Sequence, residues 1–170
     1  IYGPSSAGKT NFCLLAAISI AERGKKVLFI DTEGGIAVER IKQLSANWET
    51  ILARIIFFNP MTFSEQKEIF QEIKNMINEH IGMIIVDSIS MLYRLELGSS
   101  EDIYEVNSAL GRQIGYLVEI SRRYNIPVLI TNQVYAYFDN RSQVHMVGGD
   151  LLKYGSKCIL ELQKLNSGRT

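Results

Sequence analysis

The sequence is poor in the features that mark secreted, membrane-spanning or strongly charged proteins. Only two of its 170 residues are cysteines, Cys13 and Cys158, too few for a disulfide framework, so we expect a reducing, cytoplasmic environment. Lysine plus arginine and aspartate plus glutamate number 18 each, and the resulting net charge of zero excludes a histone-like protein that binds nucleic acid through its overall charge. The longest apolar stretch, residues 12–21, is far shorter than the roughly 20 residues that a membrane-spanning helix needs.

Apolar residues are nevertheless abundant enough for a buried core. Hydrophobic residues make up 46% and charged residues 21% of the chain, which excludes intrinsic disorder. Because there is no internal repeat, linker or low-complexity tract, we predict a single domain that spans residues 1–170. We expect this domain to be truncated at both ends: a strand should be finishing at residues 1–2, and residues 165–170 read as a hairpin turn without its second strand. We also expect no secretion signal.

Short apolar runs alternate along the chain with longer amphipathic segments. The runs are rich in β-branched and aromatic residues, as in parallel strands covered on both faces, and they are residues 27–30, 54–58, 83–86 and 128–130. The amphipathic segments predict helices near residues 10–23, 36–45, 63–79 and 103–124, and an alternating segment predicts a last, half-exposed strand at residues 157–164. This order predicts an α/β fold, a mostly parallel central sheet with helices on both faces.

A glycine-rich loop precedes the first predicted helix. Residues 3–10 match the phosphate-binding pattern G-x-x-x-x-G-K-[ST] at every fixed position. The two glycines let successive backbone N–H groups point into one concavity, and the helix that follows adds its dipole. Lys9 supplies a cation to the β- and γ-phosphates of ATP, and the Thr10 hydroxyl is a ligand for Mg²⁺. The predicted ATP-binding residues of this segment are Gly3, Pro4, Ser5, Ser6, Ala7, Gly8, Lys9, Thr10 and Asn11.

Carboxylates follow two of the predicted strands. Asp87 comes directly after the run at residues 83–86, and the carboxyl edge of a parallel sheet is where ligands bind, so we predict that Asp87 holds Mg²⁺ together with Thr10. Glu33 stands just beyond residues 27–30 and is a candidate to polarise a water for attack on the γ-phosphate. Its neighbour Asp31 is either a helix cap or a supporting hydrogen-bond partner.

An uncharged amide, Gln133, lies beyond the fourth strand. It is either a sensor of the γ-phosphate or simply a polar residue at a sheet edge, and we count it with Lys9 and Glu33 as a catalytic candidate.

Together these strand-end motifs resemble the RecA/RadA recombinase family. The residues that match are the loop at 3–10, residues 30–34 with Glu39-Arg40, residues 85–88 with Tyr93-Arg94, and residues 126–134. Within the family the chain is most similar to the archaeal RadB subfamily, because of the triplet at residues 33–35, the short segment after residue 133 and the sequence of residues 148–154. The resemblance implies a RecA-like P-loop NTPase core that uses ATP and Mg²⁺.

The resemblance also implies roles for three side chains. Glu33 matches the water-activating glutamate of the family, Arg40 matches an arginine that stacks on the adenine, and Gln133 matches the glutamine that couples the γ-phosphate to the second DNA-binding loop. The chain departs from the family at residues 36–38, where Phe-Arg-Pro is usual. It also departs at residues 134–149, a loop shorter than that of a strand-exchange recombinase.

Two segments are candidates for contact with single-stranded DNA. Residues 95–102 would form the first loop; they contain no basic residue, and Arg94 at their start either pairs with a carboxylate or contacts DNA. The second loop interleaves aromatic rings with positive or titratable groups, a composition typical of single-strand binders. Its aromatic residues could equally cover the sheet edge or a subunit interface. The predicted second-loop residues are Tyr135, Tyr137 and Arg141, beside Phe138 and His145.

The expected function is therefore that of a DNA-binding, weakly ATP-hydrolysing accessory protein of homologous recombination and DNA repair. Its expected partners are DNA, a recombinase or other repair proteins, and further copies of itself. The alternatives are an active RadA-type strand-exchange recombinase or hexameric helicase motor, and a nucleotide-sensing regulatory module with negligible hydrolysis. A small-molecule kinase is disfavoured, because residues 95–102 lack the arginine that a closing lid needs.

Overall fold

A four-stranded parallel sheet forms the centre of the computed structural model, which describes residues 1–36, 38–136 and 144–164. The strands lie in the order β2-β1-β3-β4. They are β1 (Lys26–Asp31), β2 (Ile55–Phe58), β3 (Ile81–Asp87) and β4 (Val128–Ile130). All four coincide with predicted apolar runs. The register of β1 against β3 pairs Asp31 with Asp87, so two carboxylates lie side by side where the strands end.

The sheet continues beyond β4 through the first residues of the chain. The Ile1 amino group donates to Ile130 O at 2.8 Å, and Asn132 N donates to Ile1 O at 2.9 Å. On the other side, Tyr2 N donates to Leu160 O and Leu162 N donates to Tyr2 O, both at 2.8 Å. The start of the chain therefore lies between β4 and residues 160–162.

The strand predicted at residues 157–164 is wrong in extent. Of these residues only Glu161 forms a bridge, with Tyr2, because the backbone hydrogen bonds of this segment to the sheet are confined to Tyr2. Ile159 and Leu160 are 44% and 45% exposed, so the predicted alternation of buried and exposed residues is absent there.

Helices cover both faces of the sheet. They are α1 (Lys9–Glu22), α2 (Val38–Leu44), α3 (Trp48–Leu52), α4 (Phe63–Met76), α5 (Met91–Ser99), α6 (Ile103–Tyr124) and α7 (Gly149–Gly155). The first three pack on one face with Val27, Phe29 and Ile85, whereas α4 to α7 pack on the other with Leu28 and Ile84. Successive strand residues thus point to opposite cores, which explains why the apolar runs are continuous.

Four elements were not predicted. The short helix α3 is one, and α5 is another: residues 95–99 are helical, so the first loop predicted at residues 95–102 is wrong over these residues, and residues 100–102 alone connect α5 to α6. The antiparallel pair β5 (Val134–Ala136) and β6 (Val144–Met146) is the third, and the short helix α7 is the fourth. Buried Leu92 and Tyr93 hold α5 in place, and Tyr93 Oη donates to Asn107 Oδ1 on α6 at 2.6 Å. None of the described helices is long and apolar enough to cross a bilayer.

The start of α4 is fixed by its cap, so Thr62→Ala should lower the free energy of unfolding by about 1 kcal/mol. Thr62 Oγ1 accepts from Glu65 N at 3.1 Å, and Glu65 Oε2 in turn accepts from Met61 N at 2.8 Å. Urea denaturation of both proteins measures the difference. Ser64 is exposed and lies two residues after Thr62, so Ser64→Ala is the matched control. It should change the free energy of unfolding by less than about 0.5 kcal/mol. Equal losses in the two variants would contradict the assignment.

Candidate nucleotide-binding site

The glycine-rich loop joins the edge of the sheet to α1. Gly8 adopts a left-handed conformation, with φ of 94°, and is the N-cap of α1. A Cβ on Gly3 would lie 2.4 Å from Leu162 O, so no larger residue fits there. No described side chain caps α1, and its first turn contains no acidic residue. The N–H groups of this turn are therefore suited to phosphate oxygens.

Lys9 lies across the loop. Its side chain is largely buried, and Nζ donates to Gly3 O and Pro4 O, both at 2.9 Å. These carbonyls provide the hydrogen bonds that a buried ammonium group requires. The predicted residues Gly3 and Pro4 thus support the lysine through their backbones.

Asp87 is buried at the end of β3 and contacts two hydroxyl groups. Its Oδ1 accepts a hydrogen bond from Thr131 Oγ1, and its carboxylate also hydrogen-bonds the side chain of Thr10. Burial raises the pKa of Asp87, the charges of Glu33 and Asp31 raise it further, and the two threonine hydrogen bonds oppose the shift. The contact between Thr10 and Asp87 brings together the two predicted magnesium ligands.

Asp31 shapes the loop that carries Glu33. Its Oδ1 accepts from Glu33 N at 3.1 Å and Gly34 N at 2.9 Å, and its Oδ2 accepts from Ile36 N at 3.3 Å. Of the two alternatives for Asp31, the structure therefore supports the hydrogen-bond partner. It fixes the loop backbone rather than a helix end.

Glu33 and Gln133 are in direct contact. Glu33 Oε1 accepts from Gln133 Nε2 at 2.7 Å and from Ser88 Oγ at 2.9 Å. The side chain of Gln133 also contacts Arg94: its Oε1 accepts a hydrogen bond from Arg94 Nη1. One partner of Arg94 is thus an amide rather than the carboxylate or DNA considered from sequence.

Thr32 and Ser90 fix the backbone around these side chains. Thr32 Oγ1 donates to Ser88 O at 2.8 Å and accepts from Ser88 N at 3.0 Å. Ser90 Oγ accepts from Gln133 N at 3.2 Å. Ser88, Ser90, Thr32 and Thr131 were not among the predicted site residues. The signal that could have found them is their position: all are small hydroxyl residues within four residues of a strand end.

These groups surround one cavity of about 400 Å³, within the size range of small-molecule sites. It is lined by Ser5, Ser6, Gly8, Lys9, Thr10, Asn11, Leu14, Glu33, Gly35, Arg40, Asp87 and Gln133. Apart from Leu14 and Gly35, every lining residue is a predicted site residue. Arg40 is held at the cavity by hydrogen bonds from Nε to Asn11 Oδ1 at 2.9 Å and from Nη1 to Gln43 Oε1 at 2.8 Å.

The predicted DNA contacts are only partly within the described residues. Tyr137 and Arg141, with Phe138, lie outside them. Tyr135 and His145 are paired in the backbone register of β5 and β6, but their side chains are not described.

Removing the buried charge with Asp87→Asn should stabilise the ligand-free protein at neutral pH. Because the pKa of Asp87 is raised in the folded state, ionisation costs folding free energy as pH rises from the ordinary value of 3.8 through the raised pKa. Asn carries no such cost. In urea denaturation without nucleotide or Mg²⁺, we expect the stability gain of the variant to be largest near about pH 8 and to shrink toward about pH 4.

The exposed carboxylate of Asp150 provides the control for this experiment. Asp150→Asn should show no comparable pH-dependent gain, because its side chain is 77% exposed. A gain from Asp87→Asn that stayed constant with pH, or grew toward acid, would contradict the assigned burial of the charge.

Comparison with known proteins places this geometry in a family. The sequence model of the Rad51 family matches residues 1–169. The chain is 46% identical to the DNA repair and recombination protein RadB of Methanococcus maripaludis strain C7, over 99% of this chain and 77% of that protein. It is 41% identical to RadB of Methanocaldococcus jannaschii, over 99% of this chain and 79% of that one. A crystal structure of the RadB recombinase superposes with a TM-score of 0.74 at 35% identity, covering 98% of this chain and 74% of that chain. The chain belongs to the Rad51 family.

Proposed function

We propose that this protein binds ATP with Mg²⁺, hydrolyses it slowly, and acts with DNA as a RadB-like accessory protein of homologous recombination and repair. The observation that carries the proposal is the convergence of the phosphate loop, Asp87, Glu33, Gln133 and Arg40 on one cavity. Proteins of the Rad51 family are ATPases in general, and the similar RadB proteins are named for DNA repair and recombination.

The cavity has separate regions suited to the phosphates and the base of ATP. The N–H groups at the start of α1 and the ammonium of Lys9 favour the anionic phosphates. At Asn11, on the solvent-exposed side of α1, the guanidinium of Arg40 is held by two side chains. A planar guanidinium stacks well on an aromatic ring, so Arg40 suits the adenine.

Thr10 and Asp87 fit a magnesium ion. They offer the hard oxygen ligands that Mg²⁺ prefers, and the Thr10 hydroxyl lies close enough to Asp87 to lower the pKa of its carboxylate. Within residues 1–36, 38–136 and 144–164, no group of three or more His, Cys, Asp or Glu side chains is arranged to hold a metal without other ligands. This agrees with Mg²⁺, which is usually held by one or two protein ligands together with substrate phosphates and water. The bound ion would neutralise phosphate charge.

Glu33 is the base in the proposed hydrolysis. A water oxygen forms a bond to the γ-phosphorus while the bond from that phosphorus to the β,γ-bridging oxygen breaks, and ADP leaves with the electron pair. The carboxylate of Glu33 accepts the proton of the water. Gln133, hydrogen-bonded to Glu33 at 2.7 Å, holds that carboxylate at the cavity wall.

Turnover should be slow. Among the described residues that line the cavity, Arg40 is the only arginine, and its guanidinium is bound to Asn11 and Gln43; Lys9, in the glycine-rich loop, is the other cation. An arginine that contacts the transferred phosphate typically accelerates such reactions by 10³–10⁵. We expect the isolated chain to hydrolyse less than about one ATP per second.

One observation favours a nucleotide-sensing module as the second candidate. Glu33 Oε1 already accepts hydrogen bonds from both Ser88 and Gln133, as in a residue that is held rather than poised to take a proton. In this alternative, bound ATP alters the contacts of Gln133, and hydrolysis contributes nothing.

Lys9→Ala should weaken the binding of a fluorescent ATP analogue with Mg²⁺ by about 10- to 100-fold, because it removes a charge-assisted contact to the phosphates. Lys25→Ala is the matched control, since Lys25 is exposed and its Nζ donates to Glu79 O. Circular dichroism of both variants checks that they are folded. Unchanged affinity in folded Lys9→Ala would refute the proposed phosphate site.

Glu33→Gln separates the two candidate functions. For an ATPase, we expect the variant to bind nucleotide within about twofold of the wild type but to hydrolyse it about 100-fold more slowly, since general-base catalysis contributes 10²–10⁴. Single-stranded DNA should accelerate the wild type and leave the variant slow. Glu96→Gln, on the exposed face of α5, should behave as the wild type. Equal rates of wild type and Glu33→Gln, with and without DNA, would favour the sensor.

A further inference from the structure

The side chain of Gln133 lies between a cation and an anion. Its Oε1 accepts from Arg94 Nη1, and its Nε2 donates to Glu33 Oε1 at 2.7 Å. A guanidinium only donates hydrogen bonds, and a carboxylate only accepts them. The two charged neighbours therefore select one orientation of the amide, with the carbonyl toward Arg94 and the NH₂ group toward Glu33.

Glutamine is the residue type that this arrangement needs. A glutamate at residue 133 would still accept from Arg94, but it has no donor for Glu33 and would repel it. An apolar residue would engage neither neighbour. Because Arg94 binds the carbonyl of Gln133, the NH₂ group of Gln133 is turned toward Glu33; the hydrogen bond to Glu33 therefore depends on Arg94.

Arg94 belongs to α5, a helix that is anchored by buried side chains. It lies in the first turn of α5, where Arg94 N donates to Ser90 O at 3.0 Å, and the adjacent Leu92 and Tyr93 are buried. Ser90, the N-cap of α5, accepts a hydrogen bond at Oγ from Gln133 N, so the start of α5 holds both the backbone and the side chain of Gln133. Gln133 itself lies between β4 and β5, where its carbonyl accepts a hydrogen bond from Val147 N at 3.1 Å.

We propose that Arg94 is a positioning residue that acts through Gln133 to hold the carboxylate of Glu33 at the nucleotide cavity. Arg94 is not among the residues that line the cavity, so it acts on Glu33 through Gln133 and not on the substrate. Its effect on turnover rests on the proposed ATPase function, whereas the linkage of Arg94, Gln133 and Glu33 is a property of the protein without nucleotide.

A double-mutant cycle tests this proposal. The variants are Arg94→Ala, Gln133→Ala and the double variant, with Arg94→Lys as the conservative replacement. Single-turnover hydrolysis at saturating ATP and Mg²⁺ gives the rate, and a fluorescent ATP analogue gives the affinity. We expect Arg94→Ala to lower the rate about tenfold, with affinity within about twofold of the wild type, because it removes positioning and no substrate contact. Arg94→Lys should recover part of the rate.

Non-additivity is the decisive result. If Arg94 acts through Gln133, the double variant should be no slower than Gln133→Ala, whereas independent effects would multiply. Arg112→Ala is the matched control, because Arg112 is an exposed arginine bound to Ser108 and Glu105 within α6. Multiplicative losses, or a loss of nucleotide affinity equal to the loss of rate, would overturn the proposal.

A second readout keeps the test independent of hydrolysis. If wild-type turnover is undetectable, the proposed ATPase fails, and the same cycle is measured as urea midpoints without nucleotide. Coupled midpoints of Arg94→Ala and Gln133→Ala, with Arg112→Ala and Gln133→Ala additive, would support the linkage. Additive midpoints in both pairs would overturn it.

Discussion

The parallel register of β1 and β3 is the constraint on which the site depends. It pairs Asp31 with Asp87, and all four strands run in the same direction, so each strand brings the residue that follows it to one edge. The phosphate loop reaches that edge because residues 1–2 extend the sheet next to β4. Residues that are as much as 100 positions apart, such as Glu33 and Gln133, can then form a hydrogen bond of 2.7 Å.

The same register places two buried carboxylates, Asp31 and Asp87, side by side at the ends of β1 and β3. The carboxylate of Asp31 is stabilised by hydrogen bonds from three backbone N–H groups, and that of Asp87 by hydrogen bonds from Thr10 and Thr131. The remaining electrostatic cost appears as the raised pKa of Asp87. A cation at this edge would relieve that cost, so the carboxylate that could hold a cation is also the one whose charge costs folding free energy. Stability and ligand affinity oppose each other at this position.

The sequence predicts the elements whose signals are local. All four strands of the central sheet are long enough, and apolar enough, to be visible in the chain, and the phosphate loop is a contiguous motif. Helix α4 was predicted to run to residue 79 but ends at Met76, because Asn78 Nδ2 donates to the carbonyl of Met76 and the chain becomes extended at Ile77. Helix α5 was missed since only two buried residues hold it, and this packing is a tertiary property. Likewise, motif and strand-end position indicate Lys9, Asp87 and Glu33, but the order Arg94, Gln133, Glu33 depends on side-chain directions that no local pattern encodes.

The contact of Gly3 with Leu162 gives the phosphate loop a mechanical support outside the nucleotide cavity. A Cβ at residue 3 would come within 2.4 Å of Leu162 O, and the neighbouring Tyr2 is hydrogen-bonded to Leu160 and Leu162. Residues 160–162, at this edge of the sheet, thus support the loop, while Asp87 lies three positions farther in, beyond residues 1–2 and β4. Pulling residues 160–162 away from the sheet would therefore disturb the conformation of the loop at residues 3–10 before it disturbed Asp87.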